Sequence, residues 1–252
     1  MKAARYRAFW PIRTRPSWPA GAPTRLCSAW CRTSSGIYAK GLRVADELPR
    51  EAVFATEAGV SRTVVREAFG GLAAIGLIDV GAGRRARVGA VNPSVIALVI
   101  DHSVRTDQIN LQQIWDVRRS LELRTATLAA TRRTDEEAMR LLNHAQAMRR
   151  YQDDKPTMAL HDAAFHRTIA EASRNALFAH IISAFGLVLE RTATYLTRPH
   201  ASSEMQIHQH ELIARAIANR DPEAARQAMY THFDWSLRLM IDAGMDYPTE
   251  EL

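Results

Sequence analysis

Cysteine is nearly missing from this 252-residue chain, and the two present, Cys27 and Cys31, lie close together with no second pair. That excludes a disulfide framework and argues against a structural zinc module. Long apolar runs are missing too. The longest, Val95 to Ile100, falls far short of the ~20 residues of a membrane span. Acidic residues are absent from positions 1–35, which carry seven Lys/Arg. This Arg-rich start has a passing likeness to a transit peptide, but Trp and Pro are scattered through it and it has no apolar core for secretion. A cytoplasmic protein with no membrane partner is expected.

What is present fits a globular chain long enough for one large or two ordinary domains. The formal charge of +6 divides as +7 over residues 1–35, +2 over 36–91 and −3 over 92–252. A polyanion would therefore bind on the N-terminal side. Residues 1–35 hold Pro11, Pro16, Pro19 and Pro23 without helical or strand period, and read as a basic, disordered arm.

The stretch from Gly59 to Leu77, GVSRTVVREAFGGLAAIGL, is the most informative. Gly59 permits a tight turn and Ser61 is a good N-cap, so a helix should start at about Arg62. Arg62 and Arg66 are four apart and share a face, with Thr63 beside them. Val64, Val65, Ala68, Phe69, Leu72, Ala73 and Ile75 supply the core-facing side. Two arginines near the N-terminus of such a helix suit the DNA major groove, although a surface helix with solvated arginines has the same pattern. Before it, Leu48-Pro49-Arg50-Glu51 can open a short helix through Ala58, with Pro49 at a first-turn position, which completes helix, turn, helix. After it, Leu77, Ile78 and Val80 suggest a strand. Gly81 to Val88 suggests a glycine turn and a basic returning strand, a two-stranded wing.

Residues 37–91, with LPRE at 48–51, GVSRTVVREAF at 59–69, GL at 76–77 and the glycine-containing basic wing, resemble the winged helix-turn-helix of the GntR family of bacterial transcription regulators. The resemblance implies DNA contacts from Arg50, Ser61, Arg62, Thr63, Arg66, Arg84 and Arg85. Arg62 and Arg66 would read base edges, Thr63 would support the backbone contact, and the wing tip would enter the minor groove.

Asn92-Pro93 reads as a linker, and everything beyond is patterned as helix. Segments are expected at Leu111–Ala130, from a Thr134 capping box to about Tyr151, and at Pro156–Ala172, Asn175–Thr197, Ser202–Arg220 and Pro222–Ala243. The fold class is therefore mainly α: an N-terminal winged helix-turn-helix followed by an all-α helical bundle. The divisions are a basic arm at 1–35, a DNA-binding domain at 36–91, a linker at 92–106, an all-helical effector domain at 107–243 and a tail at 244–252.

Asp162 and His166 are four apart and stack on one helix face. His210 and His232 each lie eleven residues from Asp221, so a reversal at Asp221-Pro222 would bring both to one level of an antiparallel pair. Three imidazoles and a carboxylate in a bundle can hold zinc, nickel or manganese, with zinc the first choice. His102, His144, His161, His180 and His200 read as ordinary hydrogen-bonding histidines, and His208 stays ambiguous. Together with VRRSLELRTATLAA at 117–130, Asn175, Ile213, Ile217 and Ala225, this pattern resembles the FCD effector domain of FadR-like GntR regulators over roughly residues 107–240. The resemblance implies a divalent metal on Asp162, His166, His210 and His232, and Arg118 pointing inward to pair with the carboxylate of a small organic acid.

The expected function is a homodimeric, ligand-responsive transcription regulator, a repressor, acting on a near-palindromic double-stranded operator. It is not expected to be an enzyme. The alternatives are a metal-dependent enzyme with an accessory helix-turn-helix domain, or a metalloregulator that senses the ion itself.

Overall fold

In the computed structural model, residues 41–193 and 200–242 are described, in two compact units that part between Val91 and Asn92. The basic arm and the tail expected at 1–35 and 244–252 lie outside the described residues.

The first unit holds α1 (Glu51–Ala58), α2 (Arg62–Ala74) and a two-stranded antiparallel sheet, β1 (Ile78–Asp79) with β2 (Arg87–Val88). Helix α1 starts at Glu51, later than expected: Arg50 takes the extended N-cap position, so Pro49 precedes the helix instead of lying in its first turn. It ends at Gly59, whose φ of 64° is one a side chain rarely adopts. Ser61 then caps α2: its hydroxyl accepts from the Val64 amide at 3.3 Å. The apolar backs of the two helices meet through Phe54 and Phe69, edge to face at 5.4 Å, over a core of Leu48, Val65, Leu72 and Ile78. The strands pair Ile78 with Val88 and Asp79 with Arg87, which folds the wing back on this core. At Gly89 a Cβ would stand only 2.3 Å from the Gly76 carbonyl oxygen, so the wing can close here only with glycine.

The second unit is helical: α3 (Pro93–Arg105), α4 (Leu111–Arg132), α5 (Asp135–Arg150), α6 (Lys155–Ala172), α7 (Ala176–Ala193), α8 (His200–Ala218) and α9 (Pro222–Asp242). The linker expected at 92–106 is thus a helix. The Asn92 side chain caps it, Pro93 takes a first-turn position, and Ile96, Ala97, Ile100 and Val104 pack with Ala184, Phe185 and Val188 of α7. Asn-Pro opens an element there instead of separating two. The capping box at Thr134 forms as expected, its hydroxyl accepting from the Glu137 amide at 3.2 Å and Glu137 accepting from the Thr134 amide at 2.8 Å. Asp221 caps α9 by accepting from the Ala224 amide at 2.9 Å.

Helix α4 packs on α6, α8 and α9, and α8 pairs with α9, so these four enclose one core. Phe165, Ile169, Ile207, Ile213, Ile217, Met229 and Phe233 fill it. Among the described residues, no helix is long and apolar enough to cross a membrane.

Candidate functional site

Inside that core, polar side chains converge from four helices. Helix α6 contributes Asp162 and His166, α8 contributes Gln206, Gln209 and His210, α9 contributes His232, and α4 contributes Arg118 and Glu122. The i,i+4 spacing of Asp162 and His166 puts both on the inner face of α6. The α8–α9 reversal sets His210 and His232 side by side, with ring centroids 4.6 Å apart. His166 lies 5.4 Å from the His210 ring and 5.3 Å from the His232 ring. All three are buried, and their ligand-capable nitrogens lie within 4.8 Å of one another. Phe165 closes one side, with its ring edge-to-face on His210 at 4.8 Å.

Each imidazole is held at Nδ1. That of His166 donates to Glu122 Oε2, that of His210 to the Gln206 carbonyl at 2.7 Å, and that of His232 to Gln209 Oε1 at 3.3 Å. With the proton on Nδ1 each ring keeps a lone pair on Nε2, the form in which histidine binds a metal. The buried Nε2 atoms of His166 and His210 make no aligned hydrogen bond. His210 Nε2 nevertheless stands 3.0 Å from Asp162 Oδ1, about the spacing of two adjacent donors sharing one ion at ~2.1 Å. Three imidazole nitrogens and one carboxylate oxygen fit a borderline divalent cation better than a hard one such as magnesium.

Two of these donors sit in strongly perturbing surroundings. Burial, then the neighbouring His210 and His166, pushes the pKa of His232 well below the ordinary histidine value, so the ring stays neutral. Burial works against a charged Asp162, but His210, His166 and Arg118 outweigh it and hold its carboxyl well below the usual range. Asp162 also accepts from Gln206 Nε2 at 2.9 Å, and its side chain is 25% exposed.

Arg118 is buried, as expected of an inward arginine, but it already has a partner: its Nε donates to Glu122 Oε1 at 2.6 Å. Glu122, Gln206 and Gln209 are the site residues that sequence reasoning missed. The signal for Glu122 was present, because Trp115, Arg118, Glu122, Thr125, Ala126 and Ala129 run at helical spacing along one buried stripe. A carboxylate in such a stripe has to be paired. His208 is exposed and outside the cluster, while His144 and His161 pair with each other, Nδ1 to Nδ1 at 3.2 Å. The side chain of His200 lies outside the described residues.

In the first unit, Arg50, Arg62, Thr63 and Arg66 are exposed around the turn and the start of α2, with Arg66 3.4 Å from Glu51. Ser61, expected at the interface, spends its hydroxyl on the helix cap. In the wing, Arg84 lies 3.3 Å from Asp79 and Arg85 3.4 Å from Glu47. Such exposed pairs contribute at most about 1 kcal/mol, so a phosphate can displace either acid.

Comparison with known proteins places this geometry. Residues 34–88 match the family described as bacterial regulatory proteins, gntR family, and residues 113–234 match the FCD domain. The uncharacterized HTH-type transcriptional regulator YcbG of Bacillus subtilis (strain 168) is 30% identical over 208 residues, 81% of this chain and 84% of that protein. The HTH-type transcriptional regulator LutR of the same organism is 28% identical over 76% of this chain and 90% of its own length. The HTH-type transcriptional repressor NanR of Salmonella schwarzengrund (strain CVM19633) is 27% identical over 75% of this chain and 74% of its own. The solved Streptococcus agalactiae GntR shares the fold, with a TM-score of 0.58 at 22% identity over 84% of this chain and 99% of that one. The matched family and these relatives are transcription regulators, not enzymes.

Proposed function

This chain belongs to the GntR family of bacterial transcription regulators, in the FadR-like branch that carries an FCD domain, and from that premise we propose that it is a homodimeric repressor whose helical unit senses a small organic acid at a metal site. The observation that carries the reading is the tethering of all three histidines at Nδ1 with Asp162 beside His210. Asp162, His166, His210 and His232 would hold the ion, zinc in the first place and nickel or manganese in the second. Such an ion supplies a fixed positive centre that a carboxylate can complete as an outer ligand. Arg118, with its planar fork, is the residue to pair with that carboxylate. Trp115 and Phe233 flank its guanidinium at 5.2 and 5.6 Å and limit where it can swing.

On the DNA side, Arg62 and Arg66 read base edges from α2. Arg50, Ser61 and Thr63 set its register on the backbone, and Arg84 and Arg85 bring the wing to the adjacent groove. Two copies on a near-palindromic operator give each winged unit one half-site. The effector controls binding through its different affinity for the operator-competent and incompetent states, and a tenfold change in operator affinity requires about 1.4 kcal/mol of that difference. Repression is the sign favoured here because the matched relative NanR is described as a repressor.

Elemental analysis combined with native mass spectrometry tests the sensor, with one divalent ion per chain and a dimer expected. A gel shift with selected operator fragments tests the output. A folded dimer with no sequence-specific DNA binding would overturn the regulator reading. Metal-controlled operator binding that no organic acid affects would replace the acid sensor with a metal sensor.

A further inference from the structure

Glu122 is fully buried on α4 and uses its two oxygens in different directions. Oε1 accepts from Arg118 Nε at 2.6 Å, and Oε2 accepts from Nδ1 of His166. A guanidinium and an imidazole nitrogen thus close on one carboxyl group from two sides. As a device for stability alone this is poor chemistry. Desolvating buried ions costs several kcal/mol each, and apolar replacements of such pairs are often as stable. Its distinctive feature is connectivity, because a single carboxylate joins the inward arginine to the back of a ring whose Nε2 has no hydrogen-bond partner.

We propose that Glu122 is a positioning residue that couples Arg118 to the histidine cluster, so that what Arg118 binds changes how firmly the cluster holds a divalent cation. This rests on the metal reading above and adds the route by which the two ligands communicate. A hydrogen bond from His166 to a carboxylate fixes the ring's tautomer and makes its Nε2 a stronger donor. The guanidinium draws on that same carboxylate and weakens it as an acceptor. When an incoming carboxylate shares the guanidinium, Glu122 is released to hold His166 more strongly, and the cation binds tighter. Linkage makes the effect reciprocal, so the cation also favours the acid.

The test is the affinity of the full-length chain for zinc alone, measured by competition with a chromophoric chelator, in four proteins: wild type, Glu122→Gln, Arg118→Met and the double variant. Glu122→Gln should weaken zinc roughly 10–100-fold. Arg118→Met should tighten zinc in the wild-type background and leave it unchanged beside Glu122→Gln. The proposal is overturned if Glu122→Gln binds zinc like wild type. It is also overturned if Arg118→Met has the same effect in both backgrounds, which would mean that arginine acts on the ion directly through space. Where circular dichroism shows Glu122→Gln unfolded, Glu122→Asp takes its place: it keeps the charge and loses the reach, and wild-type affinity for zinc would again overturn the coupling. A wild-type protein that binds no zinc removes the metal reading itself, an outcome distinct from either failure of the coupling.

Discussion

The rings of His210 and His232 meet with centroids 4.6 Å apart although each stands eleven residues from Asp221, one before it and one after. Their meeting depends on the reversal at Asp221-Pro222, where Asp221 caps α9 and fixes the direction in which that helix leaves.

If these rings hold an ion together, replacing one should abolish binding instead of halving it. With zinc at about one hundred times its dissociation constant, the folded wild type should gain roughly 2.7 kcal/mol of stability. His232→Ala should show none of this gain in a thermal melt, and Asp162→Asn should show a reduced one. A full zinc-dependent shift in His232→Ala would place the ion elsewhere.

The pattern of hydrophobic residues and caps made most of the architecture legible. The turn at Gly59, the cap at Ser61, the box at Thr134, the cap at Asp221 and the i,i+4 pair Asp162/His166 are local signals, and the structure holds each in the expected form. The helix Pro93–Arg105 was missed because Asn-Pro is both a loop signal and a helix opening, and only its packing on α7 separates the two. Gln206 and Gln209, unlike Glu122 in its buried stripe, were missed for a different reason. Their roles come from neighbours on other helices, and spacing along one chain segment carries no information about those.

At the DNA face, the ion-pair partner of Arg66 among the described residues is the half-buried Glu51, and Arg66 itself is exposed, so its replacement should leave the fold intact. Arg66→Ala should lose about 1–3 kcal/mol of binding to the specific operator and much less on random DNA. Titrations on both DNAs at one salt concentration separate the possibilities, and equal losses would limit Arg66 to phosphate contact.

Ser61 combines a structural role with an expected interfacial one, and two substitutions separate them. Ser61→Ala removes the acceptor for the Val64 amide and should cost about 0.5–2 kcal/mol of stability. Ser61→Asp restores the cap but sets a negative charge facing phosphates, so it should melt like wild type and bind operator more weakly. Wild-type operator affinity in Ser61→Asp would show that the residue only caps.

Acid stability provides the last expectation, away from both sites. Glu137 closes the α5 capping box and accepts from Arg174 Nη1 and Nη2 at 2.7 and 2.8 Å. Burial would raise its pKa, but these hydrogen bonds outweigh burial and lower it. A carboxylate with a depressed folded pKa contributes its stability above the unfolded value and loses it as pH falls through the folded one. The stabilisation is therefore complete above about pH 5 and fades below the low fours. Because the Arg174 side chain is 44% exposed, it should amount to only about 1–2 kcal/mol. Glu137→Gln should be less stable than wild type by that amount in urea melts at pH 7, and the two curves should converge as the pH falls through the folded value. A difference that stays constant down to low pH would assign the loss to the cap geometry and not to the charge.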